Sequence, residues 1–293
     1  MGAPPALLLD TFGLFFRAFF ALPPMSTSRG EPTSALYGFS SLLLKLLREH
    51  PRCELCFALD TGRPTFRHRE FQPYKAGRAP TPTPLVEQLR RLDGLLEAVG
   101  VPILGAPGFE ADDVLATLAA GLRAQGRAAL VVSGDRDLLQ VARGSVRVHF
   151  VGRRGQEAID YDEAAVRERF GVPPERLPSL VALIGDASDN LPGVSGIGLG
   201  TAKKLLSDRH DVEHLLADAP QLSPRLSALL LEHADQLRQT ERLAQLKVDV
   251  PLPAPPHLTA PSRADLGRLR QLFEELEFKS LLPRVDKLAS ALL

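Results

Sequence analysis

Short apolar runs alternate with amphipathic stretches through the first half of the chain. Each run is four to seven residues long and carries few charges, which is typical of a strand buried within a sheet. Between the runs, leucine and other apolar residues recur at the three- and four-residue spacing of a helix face. This alternation predicts a doubly wound α/β domain, with a mainly parallel twisted sheet and helices on both faces. The predicted strands are 6–10, 54–60, 101–104, 127–132 and 146–151.

Beyond about residue 170 the strand pattern stops, and helical spacing continues toward the C-terminus. A proline-rich stretch at 251–261 predicts an extended connector within this part. We therefore expect an α/β region over 1–172 and a helical region over 173–293. The predicted helices are 33–48, 85–99 and one that opens near residue 110, followed by 177–184, 201–207, 212–217, 226–246 and 263–276.

Three carboxylates open one helix of the α/β region, within the stretch 108–114. Acids in a first turn also complement the helix dipole, so this stretch alone leaves their role open. Further acids follow the apolar runs, and the carboxyl ends of parallel strands share one edge of a sheet. Carboxylates this close together repel one another unless bound cations neutralise their charge, and oxygen-rich sites suit magnesium or manganese. The acids are Asp10, Asp60, Glu110, Asp112, Asp113, Asp135, Asp137, Asp186 and Asp189.

A basic segment with interleaved aromatic residues occupies 61–84. It contains Phe66, Phe71 and Tyr74 and a single acid, Glu70. This pattern suits a nucleic-acid strand, because cations pair with phosphates and rings stack on bases. A solvated surface loop would explain the charges but not the rings. The basic residues are Arg63, Arg67, Arg69, Lys75 and Arg78, and Arg17 in the aromatic first helix is a further candidate for a phosphate contact.

A glycine-rich stretch at 185–200 separates two predicted helices. A dinucleotide-binding loop would need a preceding strand and a βαβ unit, and neither is predicted here. A hairpin fits better, with exposed backbone amides and a helix N-terminus that bind a DNA phosphate without reading the base. The candidate contacts are Gly196, Gly198, Gly200, Thr201, Lys203 and Lys204.

Composition and charge limit which partners the protein can bind, and they say little about its fold. Of the 293 residues, 24% are charged and 44% hydrophobic, and the net charge is zero. Any nucleic acid must therefore be bound by a local basic patch. The apolar stretch at 6–22 is interrupted by charges and has no basic lead, so we expect no membrane span and a cytoplasmic protein. His50, Cys53 and Cys56 lack a fourth ligand for a closed zinc site, which favours buried thiols over zinc or redox chemistry.

Three motifs together resemble the 5′ nuclease family, which includes the 5′–3′ exonuclease domain of bacterial DNA polymerase I and the flap endonucleases. They are Tyr-Lys-Ala-Gly-Arg at 74–78, Glu-Ala-Asp-Asp at 110–113, and Gly-Asp-x-Ser-Asp-Asn-x-Pro-Gly-x-x-Gly-Ile-Gly at 185–198. The resemblance covers nearly the whole chain. It implies a PIN-like nuclease core with a helical arch at about 63–84, followed by a helical DNA-binding region with a helix–hairpin–helix at about 190–207.

The resemblance also implies residue roles. Two divalent metal ions would lie over one edge of the sheet, and a single-stranded 5′ end would pass through the arch. The first ion would be bound around Asp10, Asp60, Glu110, Asp112 and Asp113, and the second around Asp135, Asp137, Asp186 and Asp189. Lys75 and Arg78 would reach the scissile phosphate, with Arg17 beside them, and DNA contacts would come from Phe16, Arg63, Arg67, Tyr74 and the hairpin. A potassium ion would bind at the hairpin loop.

Near the first acid, the sequence departs from the family. Thr11 and Phe12 stand where the family has glycine and a polar residue, and Phe16 replaces a tyrosine. Phe16 keeps a ring that can stack on a base, but it lacks the hydroxyl. These departures concern the placement of the substrate end and not the metal ligands.

The expected function is a structure-selective 5′–3′ exonuclease or flap endonuclease that acts in DNA replication and repair. We expect a monomer, associated with the nucleoid, with DNA as its substrate and a DNA polymerase as a candidate partner. One alternative is a non-catalytic DNA-structure binder, but the presence of all nine acids argues against it. Another is a ribonuclease on a related fold, but the predicted hairpin argues against it because such a hairpin suits duplex DNA. The sequence leaves open the preference between exonuclease and flap cleavage, the metal, and whether the chain is an excised polymerase I domain.

Overall fold

The structure is a computed structural model that describes residues 4–152, 156–252 and 258–291. Within these residues, one six-stranded sheet forms the centre of the α/β region. Its strands are β1 Ala6–Asp10, β2 Leu55–Ala58, β3 Ile103–Leu104, β4 Ala129–Ser133, β5 Val146–Phe150 and β6 Ile159–Tyr161. The spatial order is β3-β2-β1-β4-β5-β6, and every pair is parallel except the antiparallel pair of β5 and β6. The predicted mainly parallel sheet is confirmed, and the short edge strand β6 was not predicted.

Thirteen α-helices are present in the described residues, and several match the predicted ranges closely. None of them combines the length and the apolar character that a membrane span would need. In the α/β region they are α1 Thr11–Ala21, α2 Ser34–Glu49, α3 Phe66–Glu70, α4 Thr83–Val99, α5 Ala111–Ala124 and α6 Glu163–Phe170. After it come α7 Leu177–Ile184, α8 Leu199–Leu206, α9 Val212–Ala217, α10 Pro224–Glu232, α11 Ala234–Ala244, α12 Arg263–Glu275 and α13 Leu282–Ala291.

The central strands are buried on both faces, which explains why their sequences are continuous apolar runs. Leu7 and Leu9 of β1 pack into a core that includes residues of α1, α2 and α4. Leu8, between them, packs into a second core on the opposite face with residues of α5 and the helices after it. Helices therefore cover both faces of the sheet, as predicted.

One prediction about the helical region was wrong in detail. The stretch 226–246 forms two helices rather than one, with a break at His233, where α10 ends and α11 begins. Helices α12 and α13 return to the α/β region, where Phe273 and Val285 are buried in the core shared with α2 and α4. Part of the predicted connector, 253–257, lies outside the described residues, and Thr259 forms an isolated bridge with Leu55. The division at residue 172 stays a prediction.

The segment 63–84 contains one whole helix, α3, and α4 begins at its last two residues; the rest consists of turns and extended residues. Prolines at 64, 73, 80, 82 and 84 account for this, because proline lacks an amide donor and clashes with the preceding helical turn. The predicted helical arch is thus helical only in α3 and at its last two residues. The remainder is folded against the carboxyl edge of the sheet, where its Lys75 contacts Glu110.

Candidate active site

Strand pairing brings three acids to one edge of the sheet. Asp10 is the last residue of β1 and lies opposite Ala58 in the parallel pairing with β2. Asp60 follows β2 by two residues, and Asp135 follows β4 by two. Since β1 lies between β2 and β4, the three carboxylates converge at the carboxyl ends of neighbouring strands.

The acidic helix α5 begins at the same edge. Glu110 is its N-cap residue, and Asp112 lies in its first turn. The backbone N–H of Ala111 donates to Asp60 Oδ1 at 2.8 Å, which ties the end of β2 to the start of α5. The positive end of the helix dipole thus faces a cluster of carboxylates, an arrangement that favours their ionised form.

These acids line a cavity of about 510 Å³. We use the name carboxylate edge for its five acids, which are Asp10, Asp60, Glu110, Asp112 and Asp135. Basic and aromatic residues close the other side of the cavity, and they include Phe16, Arg63, His68, Lys75 and Arg78. The structure therefore brings together five of the nine predicted metal ligands, both cations predicted to reach the scissile phosphate, and two of the predicted DNA contacts.

A buried serine joins two of these acids. Ser133 Oγ donates to Asp10 Oδ2 at 2.6 Å and accepts from the backbone N–H of Asp135 at 2.9 Å. The other oxygen of Asp10 accepts from Gly13 N at 3.1 Å. A side chain at Gly13 would overlap the Asp10 carboxylate, since an added Cβ would lie 2.1 Å from Oδ2. Asp10 is thus held in one orientation from both sides.

The remaining acids of the predicted second group lie beside Asp135. The backbone N–H of Asp137 donates to Asp135 Oδ1 at 3.0 Å. Asp186 and Asp189 lie in the loop after α7, where the backbones of Asp186 and Leu191 bond to each other in both directions. Burial raises the pKa of Asp137, and the charges of Asp135, Asp189 and Asp186 raise it further, so these three carboxylates lie within electrostatic range of Asp137.

Burial and like charge oppose full ionisation of the acids. Burial raises the pKa of Asp10 to about 6, and repulsion from Asp135 and Asp60 adds to it. Burial also raises the pKa of Asp112 well above its usual value, with Asp135 and Asp10 as the main repelling charges. A group of acids in this state gains stability from any bound cation, because the cation favours the ionised form.

The chemistry of these donors fits a hard divalent cation, which prefers carboxylate oxygens. As their side chains lie, no three acids, histidines or cysteines among the described residues converge closely enough to hold one ion. Lys75 and Arg78 instead partly neutralise the acids. Lys75 Nζ lies 3.0 Å from Glu110 Oε2 and 3.4 Å from Asp189 Oδ2, and Arg78 lies 3.0 Å from Asp189 Oδ1.

Asp113, predicted as a metal ligand, is not among the residues that line this cavity. It is fully buried, and Arg67 binds both of its oxygens, at 2.7 and 2.8 Å. Asp113 also accepts from the backbone N–H groups of Glu110, at 3.1 Å, and of Lys247, at 2.9 Å. The sequence places Asp113 one residue after Asp112, and successive residues on a helix point in different directions.

Arg67 is likewise unavailable to DNA in this structure, although it was predicted as a DNA contact. Only 2% of it is exposed, and its Nε donates to Leu243 O at 2.7 Å. Burial would lower the pKa of Arg67, but the hydrogen bond and charge of Asp113 raise it. The guanidinium therefore links α3 to the start of α5 and to the end of α11.

Tyr74 was also predicted as a DNA contact, and it is buried as well. Its hydroxyl lies 2.7 Å from Asp189 Oδ2 and 3.0 Å from Glu110 Oε2. Burial raises the pKa of Tyr74, and the two carboxylates raise it further. Tyr74 therefore bridges the two predicted metal groups, which leaves Lys75, Arg78 and Arg63 as the cations of this segment that line the cavity.

A second cavity, of about 620 Å³, adjoins the carboxylate edge on the side of α1. Phe16 lines both cavities, together with Asp10 and Asp135. Arg17 lines only this one, where it donates to Gly134 O and lies over the ring of Phe150 at 5.4 Å. Arg17 is therefore close to the acids but on the other side of them from Lys75.

The predicted hairpin forms between α7 and α8, and we call residues 193–200 the glycine hairpin. Gly196 has a φ of +89°, a conformation that favours glycine. Gly198 is the N-cap residue of α8, and a Cβ added at Gly196, Gly198 or Gly200 would meet no atom within 4 Å. The backbone of the hairpin is thus open to a ligand. Lys204 is exposed and Thr201 half-buried, whereas Lys203 donates to Arg169 O at 3.2 Å.

Sequence reasoning missed Ser133 and His68. The position of Ser133, at the end of a predicted strand and two residues before an acid, could have indicated it. Nothing local marks His68, because its place in the cavity depends on how the segment 63–84 folds.

Comparisons with known proteins agree with this architecture. Residues 5–171 match the family model described as 5′-3′ exonuclease, N-terminal resolvase-like domain, and residues 172–265 match the model described as 5′-3′ exonuclease, C-terminal SAM fold. DNA polymerase I of Bacillus caldotenax is 38% identical over 285 residues, which cover 97% of this chain and 32% of that protein. The chain thus spans about a third of the length of this relative.

Solved structures of low sequence identity share the fold. The T5 5′-exonuclease with bound zinc superposes with a TM-score of 0.66 at 18% identity, covering 98% of each chain. The bacteriophage T5 flap endonuclease in a pseudo-enzyme-product complex with DNA and metal ions gives 0.64 at 17% identity, covering 98% of this chain and 99% of that one.

Proposed function

This chain belongs to the 5′–3′ exonuclease family, and from that premise we propose that it is a metal-dependent, structure-selective 5′ nuclease. It cleaves DNA phosphodiesters near 5′ ends and at junctions between single strand and duplex, in replication and repair. The observation that carries the proposal is the cavity in which five acids face Lys75, Arg78 and Arg63. Carboxylates that share a site need cations, and a basic wall beside them attracts a phosphodiester.

Two groups of acids would hold two divalent ions, magnesium or manganese. Bound ions of this kind activate a water molecule and stabilise the leaving oxygen in an in-line displacement. The first group is Asp10, Asp60, Glu110 and Asp112, and the second is Asp135, Asp137, Asp186 and Asp189. We assign Asp113 to the orientation of α5 instead, because Arg67 and two backbone amides use its oxygens.

The residues around the cavity bind and orient the substrate. Lys75 and Arg78 offset the charge that develops on the phosphate, after exchanging their contacts with Glu110 and Asp189 for contacts with DNA. Phe16, which lines both cavities, stacks on a base at the substrate end. Water attacks phosphorus, the bond to the 3′ oxygen breaks, and this oxygen takes up a proton. The products carry a 5′-phosphate and a 3′-hydroxyl.

The glycine hairpin binds the duplex arm of the substrate through backbone amides, with Thr201 and Lys204 beside them. A potassium ion at the hairpin loop is part of this proposal. We further propose that the protein acts as a monomer at the nucleoid, with a DNA polymerase as a partner. The identity of the relative as a polymerase supports that partner.

A labelled flap substrate tests the proposal. The protein is incubated with a 5′-labelled flap duplex in magnesium, in manganese and with chelator, and the products are sized. A flap-length fragment released only with metal supports the nuclease and locates the cut, whereas mononucleotides from a nicked duplex indicate the exonuclease mode. Binding without cleavage in either metal would favour the alternative, a non-catalytic DNA-structure binder.

A further inference from the structure

His68 occupies a position in the cavity that the proposed mechanism does not use. It lies in α3 and lines the same wall as Arg63, Lys75 and Arg78. Its ring packs edge-on against Tyr74, with the ring centroids 5.3 Å apart and an interplanar angle of 83°. The imidazole is therefore held in place beside the carboxylate edge without contacting an acid.

Hydrogen bonding fixes which ring nitrogen carries the proton. The backbone N–H of Thr65 points to His68 Nδ1 at 3.4 Å, and Thr65 Oγ1 lies 2.8 Å from the same nitrogen. A backbone N–H can only donate, so Nδ1 accepts and the neutral ring carries its proton on Nε2. Thr65 itself is buried, which keeps this arrangement out of competition with water.

The Nε2–H group has no hydrogen-bond partner among the described residues, although the atom is buried. Buried polar groups are nearly always paired, so an unpaired donor on a residue that lines a cavity points to a missing acceptor. The charges around it favour an anion, because Arg63, Lys75 and Arg78 outnumber Glu110. Burial lowers the pKa of His68, and Arg63 lowers it further, so the ring is a neutral donor at neutral pH.

We propose that His68 is a substrate-binding residue whose Nε2–H donates to a phosphate oxygen of the DNA strand in the cavity. The inference rests on the proposed function, since it takes DNA as the occupant. Because Nε2 is covered in this structure, the contact requires neighbouring side chains to move when DNA binds, as Lys75 and Arg78 do when they leave Glu110 and Asp189. A phosphate oxygen then supplies the acceptor that Nε2 lacks among the described residues, and the three cations of the same wall attract the same strand. His68 thus adds a neutral, directional donor to a wall that otherwise offers cations.

Two variants separate the donor from the shape of the side chain. In His68→Asn the amide can replace Nδ1 toward Thr65 but cannot reach as far as Nε2, whereas in His68→Gln the amide nitrogen reaches the Nε2 position. We measure the affinity of each for a 5′ flap duplex with chelator present, so that no turnover occurs, and follow thermal unfolding in parallel. His68→Asn should bind about tenfold more weakly, the scale of one lost hydrogen bond to a charged group, and His68→Gln should recover most of the loss.

Neutral linkages locate the contact. A methylphosphonate replaces one phosphate oxygen by a methyl group, and single replacements are moved along the flap strand. At one linkage the wild-type protein should lose affinity, while His68→Asn should lose nothing further. The proposal is overturned if His68→Asn binds as the wild type does, or if both proteins respond alike at every linkage.

The failure of this proposal is distinguishable from failure of the proposed function. Wild-type protein that neither binds nor cuts the flap substrate in magnesium would refute the function, and the His68 proposal with it. Wild-type protein that binds and cuts, with a His68→Asn variant that binds equally well, would refute only the role of His68.

Discussion

The carboxylate edge and the glycine hairpin both face the proposed DNA, but they are built differently. At the carboxylate edge, side chains form the binding surface. Asp10 and Glu110 are buried, Asp112 and Asp135 are half-buried, and Asp60 is exposed. At the hairpin, the backbone forms the surface. Gly196, Gly198 and Gly200 are exposed, and a Cβ added at any of them would meet no atom within 4 Å. The first arrangement provides chemistry at a fixed point, and the second provides a contact that follows any duplex regardless of sequence.

This difference has a consequence for stability. A buried acid whose pKa is raised makes the folded state less stable at neutral pH, as at Asp10 and Asp112. Exposed glycines of the hairpin carry no such electrostatic cost. We therefore expect the two regions to respond differently to substitution, pH and metal. Changes at the carboxylate edge should alter turnover and stability, whereas changes at the hairpin should alter the affinity for DNA.

The largest expected effect is that of Asp135→Asn on turnover. The amide keeps the shape of the side chain but removes a charge from the acids, so the cleavage rate should fall by at least about 10⁴-fold, the scale of losing one member of a catalytic group. Affinity for flap DNA, measured with chelator present, should persist because the hairpin and the basic wall are unchanged. Unchanged cleavage would contradict the assignment of Asp135 to the metal groups.

The next largest effect is expected at Arg67, which binds Asp113 in the first turn of α5, the helix that begins at the carboxylate edge. Arg67→Met leaves the buried carboxylate of Asp113 without its partner, so the free energy of unfolding should fall by about 3–5 kcal/mol. Urea unfolding followed by circular dichroism measures it. The matched control is Arg69→Met, which alters an exposed residue of the same helix and should change stability by less than about 0.5 kcal/mol. Equal effects of the two would show that the buried pair is not what holds α3 to α5.

The pH dependence of folding sharpens the comparison. The folded-state pKa of Asp10, about 6, exceeds its ordinary value of 3.8. The carboxyl is protonated in both states below pH 3.8, so its stabilising contribution is complete there and is lost as pH rises through 6. With chelator present, the unfolding free energy of the wild type should decline between pH 4 and 7. In Asp10→Asn this decline should be smaller by about 1–3 kcal/mol. Magnesium should reduce the same decline in the wild type, and a decline that is identical in the variant and insensitive to magnesium would contradict the electrostatic account.

The smallest effect is expected at the hairpin. Gly200 lies in α8, and alanine is the better helix former, so Gly200→Ala should raise stability by about 0.5 kcal/mol. Its methyl group would also stand between the backbone and a phosphate, and duplex affinity should fall about three- to tenfold, the value of a hydrogen bond. The control is Gly267→Ala in α12, where an added Cβ likewise meets nothing. An equal loss of affinity in both variants would contradict a specific role of the hairpin in DNA binding.

The carboxylate edge could be predicted from the sequence because strand ends and helix starts are local signals. Asp10, Asp60 and Asp135 follow apolar runs, and a parallel sheet brings such positions to one edge whatever the details of packing. The hairpin was predictable for a similar reason, since glycine spacing indicates backbone conformation directly. The roles of both sets in binding metal and DNA stay predictions.

The roles of Asp113, Arg67 and Tyr74 could not be predicted in this way. Each has a partner more than a hundred residues away in the chain: Asp113 accepts from Lys247 N, Arg67 donates to Leu243 O, and Tyr74 donates to Asp189. The sequence marks Arg67 and Lys75 alike as cations of one basic segment. Both are buried, but Arg67 is paired with Asp113 away from the cavity, whereas Lys75 lines it. Burial is decided by which helices pack together, and no spacing within the segment records it.

By itself, the sequence determined the alternation of strands and helices, the edge at which the acids meet and the open backbone of the hairpin. Only the tertiary structure decided which charges face the cavity and which are paired beneath it, and it alone enclosed His68 with an unpaired donor. The physical reason is the range of the interactions. Periodicity and turn conformation are set by neighbours in the chain, whereas the environment of a charge is set by every element that packs against it.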